Sequence, residues 1–373
     1  MKKVLLKILF FLLAFLAGGL IGFILINHYE DLTFGGAAFA FEIILSFLLS
    51  YVITTIVHEA GHLVFGLISG YGFSSFRVGS LMLIKINGKI KLRSFTLAGT
   101  GGQCLMIPPE GKNGKQPVIL YNLGGVIFNL IFSVICIALF IIFPYVYIVS
   151  LTILVSCLLS VFLAFANGIP MHVGGVANDG MNALSMSKDD RAKEVFMNQL
   201  RMNAASVKGV RLSDMPDEWF AIPEGADMNN VTFASIAVFA VNRSFESLNT
   251  EKSEKEIEEL LNSGYGIIGL HKNLLTCDLI TCRLINNHGE AEIDSLITPE
   301  LKKLMETMKN FISVIRTEYV IALLRDRDEK EAEKKLAIFE KVIKNHPNPS
   351  DIENERRLME LALERYNNTK MYT

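Results

Sequence analysis

Thr54-Thr55-Ile56-Val57-His58-Glu59-Ala60-Gly61-His62-Leu63-Val64-Phe65-Gly66-Leu67-Ile68 places two histidines and a glutamate inside an apolar run. The run extends over residues 39–69, with Glu42 near one end as its other charged residue. It is long enough to cross a hydrocarbon core of about 30 Å. Ionisable groups inside such a helix are costly to bury, so a cluster of three within one turn and a half marks a functional site. His58 and His62 are four apart and therefore share one helical face, with Glu59 beside the first: an HExxH pattern. Catalytic zinc takes three protein ligands and leaves its fourth position open, so two histidines require a third ligand from elsewhere. Glu59 is expected to be the base, taking a proton from the attacking water while the ion polarises a peptide carbonyl.

Working outward, residues 8–27 form an apolar segment without a charged side chain from Ile8 to Ile26. A secretory signal would be shorter and end at a small-residue cleavage site, which is not evident, so a retained span is expected. From Gln116 to Asn178 there is no Asp, Glu, Lys or Arg, and Pro144 divides this zone into spans over 117–143 and 146–168. The expectation is a mainly α, polytopic membrane core of about four transmembrane helices, residues 1–180. The hydrophobic share of 51% agrees with a bilayer protein.

Charge sets the orientation. Lys2, Lys3 and Lys7 flank the first span, and Arg77, Lys85, Lys89, Lys91, Arg93, Lys112 and Lys115 crowd the connection between the second and third. Positive charge marks the inner side, so the amino terminus and residues 181–373 are expected in the cytoplasm. Residues 1–180 carry a formal +4 and the remainder −6. Neither value suggests a nucleic-acid surface, and no nucleic-acid partner is expected. Cys104, Cys277 and Cys282 then lie in a reducing compartment, while Cys136 and Cys157 fall in apolar spans.

The third ligand should be a carboxylate or histidine brought to the depth of His62. Asp179, after the fourth span, is the one acidic residue between Glu110 and Gly180; His172 is the rival. The second and fourth spans run in the same direction, so their inner ends can meet.

Three motifs, His58-Glu59-Ala60-Gly61-His62, Gly124-Gly125-Val126-Ile127-Phe128-Asn129 and Asn167-Gly168-Ile169-Pro170 leading to Asn178-Asp179-Gly180, together resemble the site-2 protease family of intramembrane zinc metalloproteases. The resemblance covers roughly residues 43–181. It implies Zn2+ as cofactor, His58, His62 and Asp179 as metal ligands, Glu59 as catalytic base, and Asn129 as a residue that holds the substrate backbone. Val126 stands where the family commonly has proline, and the interval from Asn167 to Asp179 is longer than usual. The resemblance also implies a multi-pass protein of a bacterial plasma membrane whose substrate is a membrane-embedded protein or peptide, cut near the cytoplasmic face.

Between the second and third spans, residues 73–97 alternate apolar and polar, and Asn87-Gly88 is a hairpin signal. A small membrane-associated sheet is expected, able to pair with an extended substrate or to anchor through its lysines. Gly99, Gly101 and Gly102 read as a flexible turn after it. The tail, 181–373, reads as a helical domain from periodic segments such as 332–343 and 353–366, the former resembling a tetratricopeptide-type hairpin. It could bind a cytoplasmic protein partner or simply stabilise the core. Residues 214–224, with Trp219, read as a junction. No phosphate loop or nucleophilic serine motif is present. The alternative to a protease is an inactive membrane scaffold with a retained metal site; a metal transporter would need polar residues at every depth.

Overall fold

In a computed structural model the described residues are 37–95, 100–109, 117–143, 147–173 and 176–370. The expected span at 8–27 lies outside them, as do Pro144 and the loop around Glu110. Among the described residues the chain is mainly helical, with three helices long and apolar enough to cross a membrane and a small antiparallel sheet. Contacts divide it into two compact units: residues 1–69, 119–171 and 178–181, and residues 70–118, 172–177 and 182–373. The sheet thus groups with the carboxy-terminal helices.

The first unit holds α1 (Ala37–Ile68), α2 (Val118–Ile142) and α3 (Tyr147–Gly168). At 1.5 Å per residue even the shortest, with 22 residues, spans about 33 Å. Burial along α1 is inverted relative to a water-soluble helix. From Ala40 to Ile68 every exposed residue is apolar, while the buried ones are Ser46, Ser50, Thr54, Thr55, His58, Glu59, Gly61, His62 and Gly66. In water that arrangement would expose a large apolar surface; lipid solvates it without penalty.

Ser46, Ser50, Thr54, His58 and His62 recur every four residues, so they form one stripe. Its upper part is the seam with α3. Ser156 Oγ donates to Ser50 Oγ at 2.9 Å, Ser50 Oγ to the Thr152 carbonyl at 3.1 Å, and Thr152 Oγ1 to Ser46 Oγ at 3.1 Å. Small residues let the helices approach, and each such bond contributes roughly 0.6–2 kcal/mol in a membrane. Against α2 the approach is closer still: a Cβ on Gly61 would overlap the Gly124 carbonyl. Phe65 and Phe128 pack edge to face beside that contact.

In the second unit, β1 (Gly72–Val78), β2 (Leu81–Ile86), β3 (Lys89–Ser94) and β4 (Gly102–Ile107) form an antiparallel sheet of order β3-β2-β1-β4. Asn87 (φ 50°) and Gly88 (φ 78°) make the tight hairpin between β2 and β3, a conformation that Asn-Gly tolerates better than other pairs. The expected element ended near Leu97, with Gly101 and Gly102 in a turn. Gly102 instead opens β4, pairing with Val78. Glycine normally weakens a strand, but the ladder against β1 and the fully buried Met106 hold this one.

Met82 and Ile84 of the sheet pack on Val207, and Arg93 donates to the Lys344 carbonyl at 2.8 Å. Around them lie α4 (Asp179–Lys188), α5 (Asp190–Val207), α6 (Val231–Phe245), α7 (Thr250–Asn262), α8 (Gly269–Ile285), α9 (Glu290–Leu296), α10 (Pro299–Thr307), α11 (Ile312–Val320), α12 (Glu329–Val342) and α13 (Pro349–Lys370). The expected helices at 332–343 and 353–366 fall in α12 and α13. These run antiparallel: Glu329 meets Lys370 and Glu340 meets Arg356. Two short 3-10 turns, Leu212–Asp214 and Asp217–Phe220, form the junction around Trp219. Deep in this domain Arg316, fully buried, joins Asp278 of α8 to Glu355 of α13. All five cysteines are free.

Candidate metal centre

The lower end of the α1 stripe carries His58, Glu59 and His62. His58 Nε2 and His62 Nε2 are 3.3 Å apart, and Asp179 Oδ2 is 3.1 Å from the first and 3.4 Å from the second. A tetrahedral ion with bonds of about 2.0–2.1 Å sets its donors about 3.3–3.4 Å apart, so this triangle matches three corners of such a site. Among the described residues Asp179 Oδ2 is a buried atom that no hydrogen bond satisfies. A carboxylate oxygen left this way, facing two imidazole nitrogens, suits a cation. His58, His62 and Asp179 are the group of potential ligands found among the described residues. Two imidazoles and one carboxylate suit zinc and other divalent first-row metals alike.

Three residues in sequence bring Asp179 there. Asn178 caps α4: its Oδ1 accepts from Met181 N at 2.9 Å and from Met171 N at 3.1 Å. Its Nδ2 donates to the Ala166 and Ile169 carbonyls, both at 2.7 Å, tying the end of α3 to the start of α4. Gly180 lies so close to the Gly168 carbonyl that a Cβ would overlap it. The motif Asn178-Asp179-Gly180 therefore divides into a clamp, a candidate ligand and a contact point. Burial works to raise the Asp179 carboxyl, but hydrogen bonding to and the charge of the two imidazoles beside it lower it to about 2.

The rival ligand, His172, is exposed and pairs with Ala177 in a two-residue antiparallel ribbon, β5 (His172–Val173) with β6 (Val176–Ala177). It does not belong to the ligand group. Glu59 is buried beside His58 and also stands outside the donor set. Asn129 is fully buried, its Nδ2 3.2 Å from His58 Nδ1. His62 Nδ1 donates to the Tyr121 carbonyl at 2.8 Å.

Sequence reasoning named Glu59 and the three residues, His58, His62 and Asp179, whose donor atoms come together here. It missed the Asn178 clamp, the Tyr121 carbonyl and the Ser/Thr stripe. Four-residue spacing of Ser46, Ser50 and Thr54 in line with His58 was a usable signal for the stripe. Nothing local pointed to the carbonyl. No family model, curated protein or solved structure compared with the chain matches it.

Proposed function

We propose that the chain is an intramembrane zinc metalloendopeptidase of the site-2 protease type, hydrolysing peptide bonds of transmembrane or signal-like segments near the cytoplasmic face. The observation that carries the reading is the His58, His62 and Asp179 triangle on a helix with a lipid-type exposed surface, with a carboxylate of no ligand role beside it. A closed structural zinc site would use four protein ligands and would have no use for Glu59.

When bound, zinc polarises the scissile carbonyl and makes water more acidic. Glu59 accepts the proton as the water oxygen bonds to the carbonyl carbon. It then passes that proton to the amide nitrogen as the C–N bond breaks, leaving a carboxyl and an amine. Burial of His58, Glu59 and His62 keeps bulk water from competing for these groups. The substrate must be extended at the cut, because a helix already uses its carbonyls internally. Among the described residues β3 is an edge strand of the sheet, the kind of element that can add an extended segment.

The reading includes four transmembrane spans, with residues 8–27 as the first, both termini cytoplasmic, and a bacterial plasma membrane as the site. The carboxy-terminal helices, with the tetratricopeptide-like pair α12 and α13, would serve a cytoplasmic protein partner.

The test is zinc content and cleavage of a model transmembrane peptide by purified protein in detergent. The parent should bind zinc and cleave, Glu59→Gln should bind without cleaving, and Asp179→Ala should do neither. Zinc binding by the parent with no difference in cleavage between it and Glu59→Gln would replace the protease with a membrane scaffold.

A further inference from the structure

Helix α2 presents Tyr121, Gly125 and Asn129 at intervals of four, hence on one face, and all three meet the histidine pair. The Tyr121 carbonyl can only accept, so the 2.8 Å contact fixes a hydrogen on His62 Nδ1, and in the neutral ring that leaves Nε2 free of hydrogen toward Asp179. Gly125 clears the space for the other ring: a Cβ there would overlap His58. Asn129, one turn further along α2, reaches His58 Nδ1 at 3.2 Å.

His58 offers Nε2 to the metal position, 3.1 Å from Asp179 Oδ2 and 3.3 Å from His62 Nε2. With Nε2 as ligand, Nδ1 carries the hydrogen and needs an acceptor. The amide NH2 cannot accept; the amide oxygen can. That oxygen is now the buried end of Asn129 with no hydrogen-bond partner among the described residues. Turning the amide over brings it to His58 Nδ1 without moving any other atom.

We propose that Asn129 is a positioning residue for His58: its Oδ1 accepts the Nδ1–H in the metal-holding tautomer, so that α2 orients both histidine ligands. The inference rests on the proposed metal site and reassigns the one residue to which the family resemblance gave a substrate contact. Asn129 has no exposed surface, whereas a residue that grips an incoming peptide has to be reachable. Chemistry also explains why an amide stands here. With a divalent ion, two neutral imidazoles, Asp179 and Glu59, the site sums to zero charge, and a neutral acceptor keeps it there inside the membrane. Outer partners of this kind orient ligand rings and raise their basicity.

The experiment is zinc affinity of the purified full chain, by competition with a chromophoric chelator, for the parent, Asn129→Leu and Asn129→Asp. Asn129→Leu should weaken zinc about 10–100-fold, and Asn129→Asp, which restores an acceptor but adds a charge to the site, should recover part of the loss. A direct reading that needs no substitution at Asn129 is nitrogen-15 NMR of the histidines, with the His58 signal assigned by its absence in His58→Ala. His58 should carry its hydrogen on Nδ1 in the zinc form. Parent-like zinc affinity in Asn129→Leu, or zinc on His58 Nδ1, overturns the inference while the proposed function stands. A parent chain that takes up no zinc overturns the proposed function first.

Discussion

Gly61 of α1 and Gly124 of α2 meet backbone to backbone, each lying where the other's Cβ would have to be. That contact brings Tyr121 and Asn129 within reach of the histidines, because both belong to the same stretch of α2. Gly61→Ala and Gly124→Ala should each force the helices apart and cost about 1–3 kcal/mol. Thermal unfolding in detergent checks the cost, and zinc affinity should fall with it. Gly269→Ala, where nothing lies within 4 Å of the added carbon, should stay within about 0.5 kcal/mol of the parent.

Removal of any direct ligand should weaken zinc more than loss of an outer partner does. His58→Ala, His62→Ala and Asp179→Ala are expected to lose about 100-fold or more in affinity, and His172→Ala to lose none. Chelator titration followed by zinc add-back measures this: activity should vanish with the metal and return with it.

Glu59→Gln tests the proposed base. The amide keeps the size of the side chain but cannot take the proton, so kcat should drop about 10²–10⁴-fold with zinc content unchanged. Single-turnover cleavage of a labelled transmembrane peptide gives the number.

Asn178→Ala removes four hydrogen bonds: the cap to Met181 N, one from Met171 N, and the two that Nδ2 donates to the Ala166 and Ile169 carbonyls at the end of α3. Loss of a cap alone costs roughly 0.5–2 kcal/mol. Asp179 then loses its fixed position, and zinc affinity should fall although no ligand has changed. Asn178→Asp, which keeps the cap oxygen but not the two donors, should fall between the parent and Asn178→Ala in the same titration.

The helical tail has its own pH dependence. Burial pushes the Asp278 carboxyl up to about 6 despite Arg316 beside it. Its folded value is above the unfolded one, so the folded state binds the extra proton between about pH 4 and pH 6. The stability this contributes is present at the acid end of that window and is lost as pH rises through 6. Urea unfolding followed by the fluorescence of Trp219, the one tryptophan, should show this slope in the parent. It should flatten in Asp278→Asn.

Much of the candidate site was legible in local pattern. His58 and His62 are a helical turn apart, so any helix through them aligns their rings. The alternation across residues 81–92 with Asn87-Gly88 at its centre likewise specifies a hairpin, because only one turn type suits that pair in a twisted ladder. β4 was not legible, since it begins at glycine and is held by its partner β1 rather than by its own propensity.

By itself the sequence determined the apolar segments, the shared face of the two histidines and the scarcity of carboxylates that left Asp179 as the candidate third ligand. These are properties of short periods along one chain, and 3.6 residues per turn suffices to read them. Tertiary structure alone decided that Asn129 meets His58 and that the Tyr121 carbonyl meets His62. It also decided that Asn178 closes α3 onto α4. Each depends on two distant backbones coming within van der Waals contact, which the paired glycines permit but no periodicity along one segment specifies.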